Sequence, residues 1–516
     1  MLKPFLLLLS SCIINSTFGT SLNKTSQESR FNAPGEINDS ISANLPVKAK
    51  KKKKLRFQQP KNDINQIIIY GQSLSTGQQT APSLSVKNYA GNLMLGNQVW
   101  SNFSNNIDTP SLVFNPLFAR PTIYSKNTNE QVLADVSIDA NNQINCETPA
   151  EGFANAVKYN FDKDFPELSN RKFAATSTGE GGRSIEILSK NSPNKDGKLY
   201  SYTVKTMTRS KEASARMGKS INCSALLWMQ GEYNYTQASK QGWSPASPAT
   251  KDKNVYKNYL SKLVSDLTCD VKTAYEQTDA PVFITYQCGA QFTKDFDVPI
   301  GMAQLELANT DPRVVLAGPV YPVSDRGGHL CPNGSRWYGE MMAKVYYKTI
   351  IRGEKWIPLQ PKTITKGKKS IDIDFYVPEP PLKFDTLTLK QVKNFGFTVK
   401  ENGAEKKIFS VSLISATKIR LTMDTNFKDE SVEVNYAGPA TVGNGNLCDS
   451  DNFKSFATYQ NLNAEGATLA EKNRFKPKYE PRDKNGNIIY GQAYPLQNFC
   501  CVFYYKIAAH KYRIKF

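Results

Sequence analysis

From residue 63 to about 352, short apolar, β-branched runs alternate with stretches in which apolar residues recur every three or four positions. Gln66 to Tyr70 (QIIIY) is the first run, and Lys172–Thr176, Ala225–Met229, Val282–Tyr286 and Val314–Ala317 follow it. Runs this short and this uniformly apolar suit strands buried on both faces of a parallel sheet. Between the third and fourth lies a helical stripe at Tyr256, Leu260, Leu263, Leu267, Val271 and Ala274. That spacing puts the six on one face of a helix. Trp337, Tyr338, Met341, Met342, Val345 and Tyr346 repeat the pattern further on. Strand alternating with helix predicts an α/β fold, a parallel sheet with helices on both faces.

The helical pattern stops after Ile351. Residues 353–372 are rich in Lys and Pro and read as a hinge. Beyond them the period becomes two, at Ile371–Val377, Ile419–Met423 and Val432–Tyr436, with Asn402-Gly403 and Pro and Gly clusters as punctuation. This predicts an antiparallel β-sandwich over 373–516. Gly443 to Asp451 lacks the acidic spacing of a calcium loop and reads as a turn.

At the other end, a basic start (Met1-Leu2-Lys3), the apolar run Pro4–Leu9 and the small residues Ser10-Ser11-Cys12 predict a signal for export over 1–20. Leu9-Ser10-Ser11-Cys12 also looks like the lipobox of bacterial lipoproteins, which would lipidate Cys12. Cleavage nearer Gly19 or Thr20, discarding Cys12, is the alternative. The location expected is secreted or cell envelope. Residues 21–62 are rich in Ser, Asn, Lys and Gln and too poor in apolar groups to fold, which predicts a disordered Lys-rich tether.

Composition narrows the class. With 40% apolar and 22% charged residues, the 516-residue chain is globular and long enough for two or three cores. No apolar run nears the roughly 20 residues of a spanning helix, which excludes an integral channel or transporter. The net charge is +19, and seven of the cations sit at Lys48, Lys50 to Lys54 and Arg56. That run is either a solvated spacer or a contact with anionic lipid or envelope polymer, and any membrane attachment would come through it or through a lipidated Cys12. Zinc-finger spacing and an RNA-binding aromatic signature are both lacking, so no specific nucleic-acid partner is expected. The nine cysteines show no CxxC spacing, so no metal site is expected, while disulfides fit an oxidising compartment.

Each apolar run ends in a polar, glycine-bounded loop, and the carboxyl edge of an open α/β sheet is where such folds place their chemistry. The first loop presents Ser73. A serine hydroxyl attacks an ester only if a base takes its proton. His329 is the one histidine in this segment, and imidazole titrates in the right range. The other histidine, His510, lies beside Lys511 and Arg513 and reads as a surface residue. An oxyanion would need donors, for which the Ser73 N–H, an N–H of the Gly181-Gly182 pair and the Gln230 amide are the candidates.

Four blocks in this order, GQSLSTG at 71–77, GEGGRSI at 179–185, WMQGE at 228–232 and DRGGHL at 325–330, resemble the SGNH hydrolases. The resembling branch contains sialate O-acetylesterases and acetylxylan-type carbohydrate esterases. The resemblance implies an SGNH-type three-layer fold, in which similar β-domains follow the esterase segment in some relatives. It implies Ser73 as nucleophile, His329 as base, Gly182 as the second oxyanion donor, no metal or organic cofactor, and an acetylated carbohydrate as substrate. In most of the superfamily an aspartate precedes the histidine by three; here Asp325 precedes it by four, with Gly327 and Gly328 between. Glu232 of the QGE block is the alternative orienting acid. Arg183 is the candidate for binding substrate. The expected protein is an exported serine esterase that deacetylates a carbohydrate. A lipid or thioester hydrolase and a non-catalytic envelope glycan-binding protein are the alternatives.

Overall fold

All five apolar runs become strands of one seven-stranded sheet in the computed structural model. The strands are β1 Ile64–Gly71, β2 Leu93–Leu95, β3 Phe114–Pro116, β4 Lys172–Ser177, β5 Ile221–Met229, β6 Val282–Gln287 and β7 Val314–Pro319, in the order β7-β6-β5-β1-β4-β2-β3. Only the β2–β3 pair is antiparallel. The structure describes residues 55–514 except 102–106, 108, 120–121, 125–130, 134–142, 193–197, 240–247, 326, 429–430, 463–476, 478 and 509. The expected signal, Cys12 and the lysines of the run at 48–54 lie outside the described residues.

Sequence explains the centre of this sheet. β1 is buried along its whole length, and its β-branched isoleucines favour the extended backbone. Small residues face it on both sides: Ile67 pairs with Ala175 of β4 and with Ala225 of β5. After β2 and β3 the chain places β4 beside β1 on one side, then crosses to lay β5, β6 and β7 outward on the other, so a crevice opens at the carboxyl end of β1, where the strand order reverses. Gly71 closes the strand against β5. A Cβ there would come 2.0 Å from the Met229 carbonyl oxygen, a contact only glycine permits.

Among the described residues the longer helices are α1 Pro149–Asp164, α2 Lys198–Arg216, α3 Lys253–Ala274, α4 Pro299–Thr310 and α5 Pro332–Tyr346, which flank the sheet. α1 starts with a capping box, Thr148 and Glu151, and a proline at its first turn. α3 starts from Asp252, whose carboxylate accepts from the Val255 N–H at 2.8 Å. It buries Tyr256, Leu260, Leu263, Val264, Leu267 and Val271, the expected stripe. α5 is buried along every residue, because α1 covers one side and the strand pair Lys454–Thr458/Ala493–Pro495 another.

The C-terminal part is antiparallel. A five-stranded sheet (including Gln360–Lys366, Ser370–Tyr376, Ile408–Ser415 and Lys418–Met423) and a four-stranded sheet (including Phe397–Glu401, Val432–Tyr436 and Phe503–Ile507) share one core. Ile371, Ile373 and Phe375 point into that core from one sheet, and Val434, Tyr436 and Phe503 from the other.

Three expectations need correction. The stretch 353–372 is no hinge. Its Lys-rich and Pro-rich sequence includes the paired strand Gln360–Lys366 and the start of Ser370–Tyr376, whose alternate side chains face the core. The tether ends earlier than residue 62: Phe57 bridges Ala280, and Gln58 N–H donates to the Ala280 carbonyl at 2.8 Å. The boundary of the C-terminal part needs correction too, since its residues 454–496 return to the first core. Tyr494 stacks on Trp337 at 5.7 Å, Arg336 donates to Tyr494 OH at 2.9 Å, and buried Lys344 bonds Asp451 and Asn498. Lys54–Phe516 is thus one compact unit. Among the described residues no cysteines are bonded to each other, and no helix is long and apolar enough to cross a membrane.

Candidate active site

β1 ends at Gly71, the chain turns through Gln72, and a short 3-10 turn Ser73–Ser75 begins. Neighbouring loops brace the turn. Gln72 Oε1 accepts from the Gly231 N–H at 3.2 Å and the Tyr233 N–H at 3.0 Å, which ties the GQS block to the WMQGE block. Ser177 Oγ donates to the Ser75 carbonyl at 2.7 Å, and Ser75 Oγ to the Gln72 carbonyl at 2.6 Å. Ser73 itself is only 6% exposed.

His329 arrives from the loop after β7, and its Nε2 lies 2.8 Å from Ser73 Oγ across 256 positions of sequence. This is hydrogen-bond distance, so the imidazole can take the hydroxyl proton. The loop makes room for the extra residue before the histidine through two positive-φ glycines, Gly327 at +98° and Gly328 at +136°. Asp325 and Leu330 bridge its base, and Asp325 Oδ1 accepts from the Gly327 N–H at 3.0 Å.

The two candidate acids line one small cavity, together with Leu74 and Gly328. Glu232 is buried, and Tyr286 OH donates to its Oε2. Burial pushes its carboxyl up to about 7, although the Tyr286 bond pulls the other way. Near neutrality Glu232 is therefore protonated for much of the time, which makes it a poor fixed anion for an imidazolium. The folded protein holds a proton that the unfolded chain, titrating near 4.5, releases. The stability this proton contributes is full below about pH 4.5 and is lost as the pH rises through about 7, a difference of about 3 kcal/mol. Urea unfolding at pH 5 and pH 8 checks it: Glu232→Gln is expected to lose less stability than wild type between the two. Equal losses would refute the assignment.

The oxyanion candidates are placed unequally. Gln230 must be corrected. Its Nε2 donates to the Arg183 carbonyl at 3.2 Å and to Asn234 Oδ1 at 2.6 Å, and its Oε1 accepts from Tyr256 OH at 2.8 Å. Both amide hydrogens are engaged, so Gln230 braces loops and is not a free donor to an oxyanion. Of the two glycines, Gly181 approaches the nucleophile: a Cβ on it would lie 3.7 Å from Ser73 Cβ. Gly182, at φ +64°, would meet only Tyr233, at 3.6 Å. Arg183 stands at the rim with a 42% exposed side chain, 4.0 Å from Glu180. Trp228 is fully buried against Tyr70 and belongs to the core, not the rim. His510 is exposed beside the strand Lys511–Arg513. Among the described residues no cluster of His, Cys, Asp and Glu could hold a metal ion.

The sequence pattern gave no role to Gln72, Tyr286 or residues 439–442. The GQS block contained Gln72, but only the fold reveals which N–H groups it serves.

Residues 68–348 match a family model described as carbohydrate esterase, sialic acid-specific acetylesterase. None of the curated proteins matches the chain. Among solved structures the chain is similar to a carbohydrate acetylesterase from Xanthomonas citri (12% identity, TM-score 0.45, covering 74% of this chain and 77% of that one). A protein from Arabidopsis thaliana is similar at 19% identity and TM-score 0.36, covering 55% of this chain and 99% of that one. A carbohydrate acetylesterase from Sinorhizobium meliloti is similar at 10% identity and TM-score 0.28, covering 56% and 99%.

Proposed function

The chain belongs to the sialic acid-specific acetylesterase family of carbohydrate esterases and is a carboxylic ester hydrolase; we propose that it removes O-acetyl groups from a carbohydrate through an acyl-enzyme on Ser73. The observation that carries the proposal is the 2.8 Å contact between Ser73 Oγ and His329 Nε2. The family match supports the substrate class. In this reading the sheet and its helices form an SGNH-type three-layer core, and the antiparallel sheets form a sandwich packed beside it.

The mechanism follows from the placement. His329 Nε2 accepts the hydroxyl proton as Ser73 Oγ bonds to the acetyl carbonyl carbon. The tetrahedral oxyanion is met by backbone N–H groups of Ser73 and the Gly181-Gly182 turn. The bond to the sugar oxygen then breaks, and the imidazolium returns its proton to that oxygen. Water, deprotonated by the same imidazole, attacks the acetyl-serine; the bond to Ser73 Oγ breaks, the imidazolium returns its proton to that oxygen, and acetate leaves. Asp325 holds the imidazole and stabilises its charged form, while Arg183 and Tyr233 contact the sugar. The basic, apolar, small-residue order of the N-terminus supports export, with envelope attachment if Cys12 is lipidated.

Acetate release across a panel of acetylated sugars and polysaccharides, beside an aryl acetate, tests this. Release from at least one carbohydrate is expected. Turnover of the aryl acetate with no acetate from any carbohydrate would overturn the substrate class.

A further inference from the structure

The C-terminal part reaches the catalytic edge of the sheet. After β6 the chain forms a short turn, Ala290–Phe292, and residues 442–444 rest on it. A Cβ on Gly443 would come 2.7 Å from Gln291 N and 3.1 Å from Ala290 N, so backbone meets backbone there. Phe292 lies against Gly328, where a Cβ would come 2.7 Å from its Cζ, one residue from His329. Val442, Gly443 and Asn444 share the small cavity lined by Leu74, Glu232, Asp325 and Gly328.

Val442 breaks two local rules at once. Its side chain is apolar, yet the residue is 60% exposed. Its backbone is left-handed, at φ +52° and ψ +39°, where a β-branched residue is strained. Glycine or asparagine would satisfy the turn better, and burial does not explain valine. The surrounding bonds hold the conformation: Gly443 N–H donates to the Gly438 carbonyl at 2.9 Å, Thr441 Oγ1 to the Asn444 carbonyl at 2.6 Å, and Asn444 Nδ2 to the Val442 carbonyl at 3.0 Å. Strain that the surroundings enforce collects at functional sites.

We propose that Val442 is a specificity-determining residue: an apolar platform, fixed by the C-terminal part beside the His329 loop, against which the C–H face of the acetylated glycan packs. Val442 shares its cavity with Gly328 of the His329 loop, while Tyr233 lies against Gly182. The inference rests on the reading of the protein as a carbohydrate deacetylase. A small aryl acetate needs only Ser73, His329 and the oxyanion donors, so it does not reach the platform.

The test compares full-length wild type with Val442→Gly and Val442→Asn, both of which suit the left-handed backbone and leave the fold intact. The kinetic constants are measured on p-nitrophenyl acetate, acetylated xylan and an O-acetylated sialoside, and the melting temperature is recorded. The expected result is unchanged p-nitrophenyl acetate turnover, a melting temperature at or above that of wild type, and a loss of about tenfold in kcat/KM, mostly in KM, on whichever glycan wild type deacetylates. Unchanged constants on that glycan overturn the proposal. Equal losses on glycan and aryl acetate also overturn it, because the loop would then act only through His329. If wild type frees acetate from neither these glycans nor any other of the carbohydrate panel yet hydrolyses the aryl ester, the deacetylase reading itself falls and takes the platform with it.

Discussion

Ser73→Ala is expected to lower ester turnover by about 10⁴-fold or more while leaving the fold and substrate affinity intact. The substitution removes one oxygen atom. Nothing else in the reaction sequence supplies a nucleophile that His329 Nε2 can activate at 2.8 Å. The turn that presents the residue survives the change, since its braces run through Gln72, Ser75 and Ser177. The side chain is nearly enclosed, so alanine leaves only a small gap. The backbone N–H of residue 73 remains, and if it meets the oxyanion as proposed, some catalysis over water should persist. A fluorophosphonate probe gives a second readout, because it bonds only to an activated hydroxyl. Wild type should be labelled and Ser73→Ala should not. Labelling that persists in the variant would mean another serine is the nucleophile.

The parts legible in sequence were those set by local pattern. A strand buried on both faces must be continuously apolar, so β1, β4, β5, β6 and β7 appeared as runs, and α3 and α5 as stripes. The Ser73–His329 pairing was legible because both residues sit in glycine-bounded loops at strand ends and the segment holds no second imidazole. What escaped depends on contacts distant in sequence. Gln230 looked like a free amide, yet Asn234 and the Arg183 carbonyl take its hydrogens. Residues 353–372 looked like a linker because lysine and proline dominate, although alternate positions such as Ile364 and Ile371 face the core. The return of Tyr494 to Trp337, 157 positions away in sequence, leaves no periodic trace. Val442 lies just before the stretch from Gly443 that read as a turn, and nothing in its local pattern marked its left-handed backbone or what it faces.

Asp325→Ala is expected to lower kcat by about 10³- to 10⁴-fold with little change in KM, and Glu232→Gln by far less. Both carboxyls line the same cavity beside the His329 loop, so position alone does not separate them. Their surroundings do. Glu232 accepts from Tyr286 OH and is driven towards its neutral form by burial, with a carboxyl that titrates at about 7. Swapping it for glutamine changes little where the neutral acid is already populated, and the amide can keep the Tyr286 bond. Asp325 belongs to the histidine's own loop, is partly open to water, and is anchored through the Gly327 N–H two residues before His329. From that loop Asp325 can orient the imidazole through both halves of the reaction, whereas a proton on Glu232 would remove such support. The pH profile discriminates further. If Asp325 is the orienting acid, Asp325→Ala flattens kcat across the neutral range, and Glu232→Gln keeps the wild-type profile. The reverse result, with Asp325→Ala near wild type and Glu232→Gln inactive but folded, would transfer the orienting role to the QGE block and make the DRGGHL loop only a mount for the imidazole.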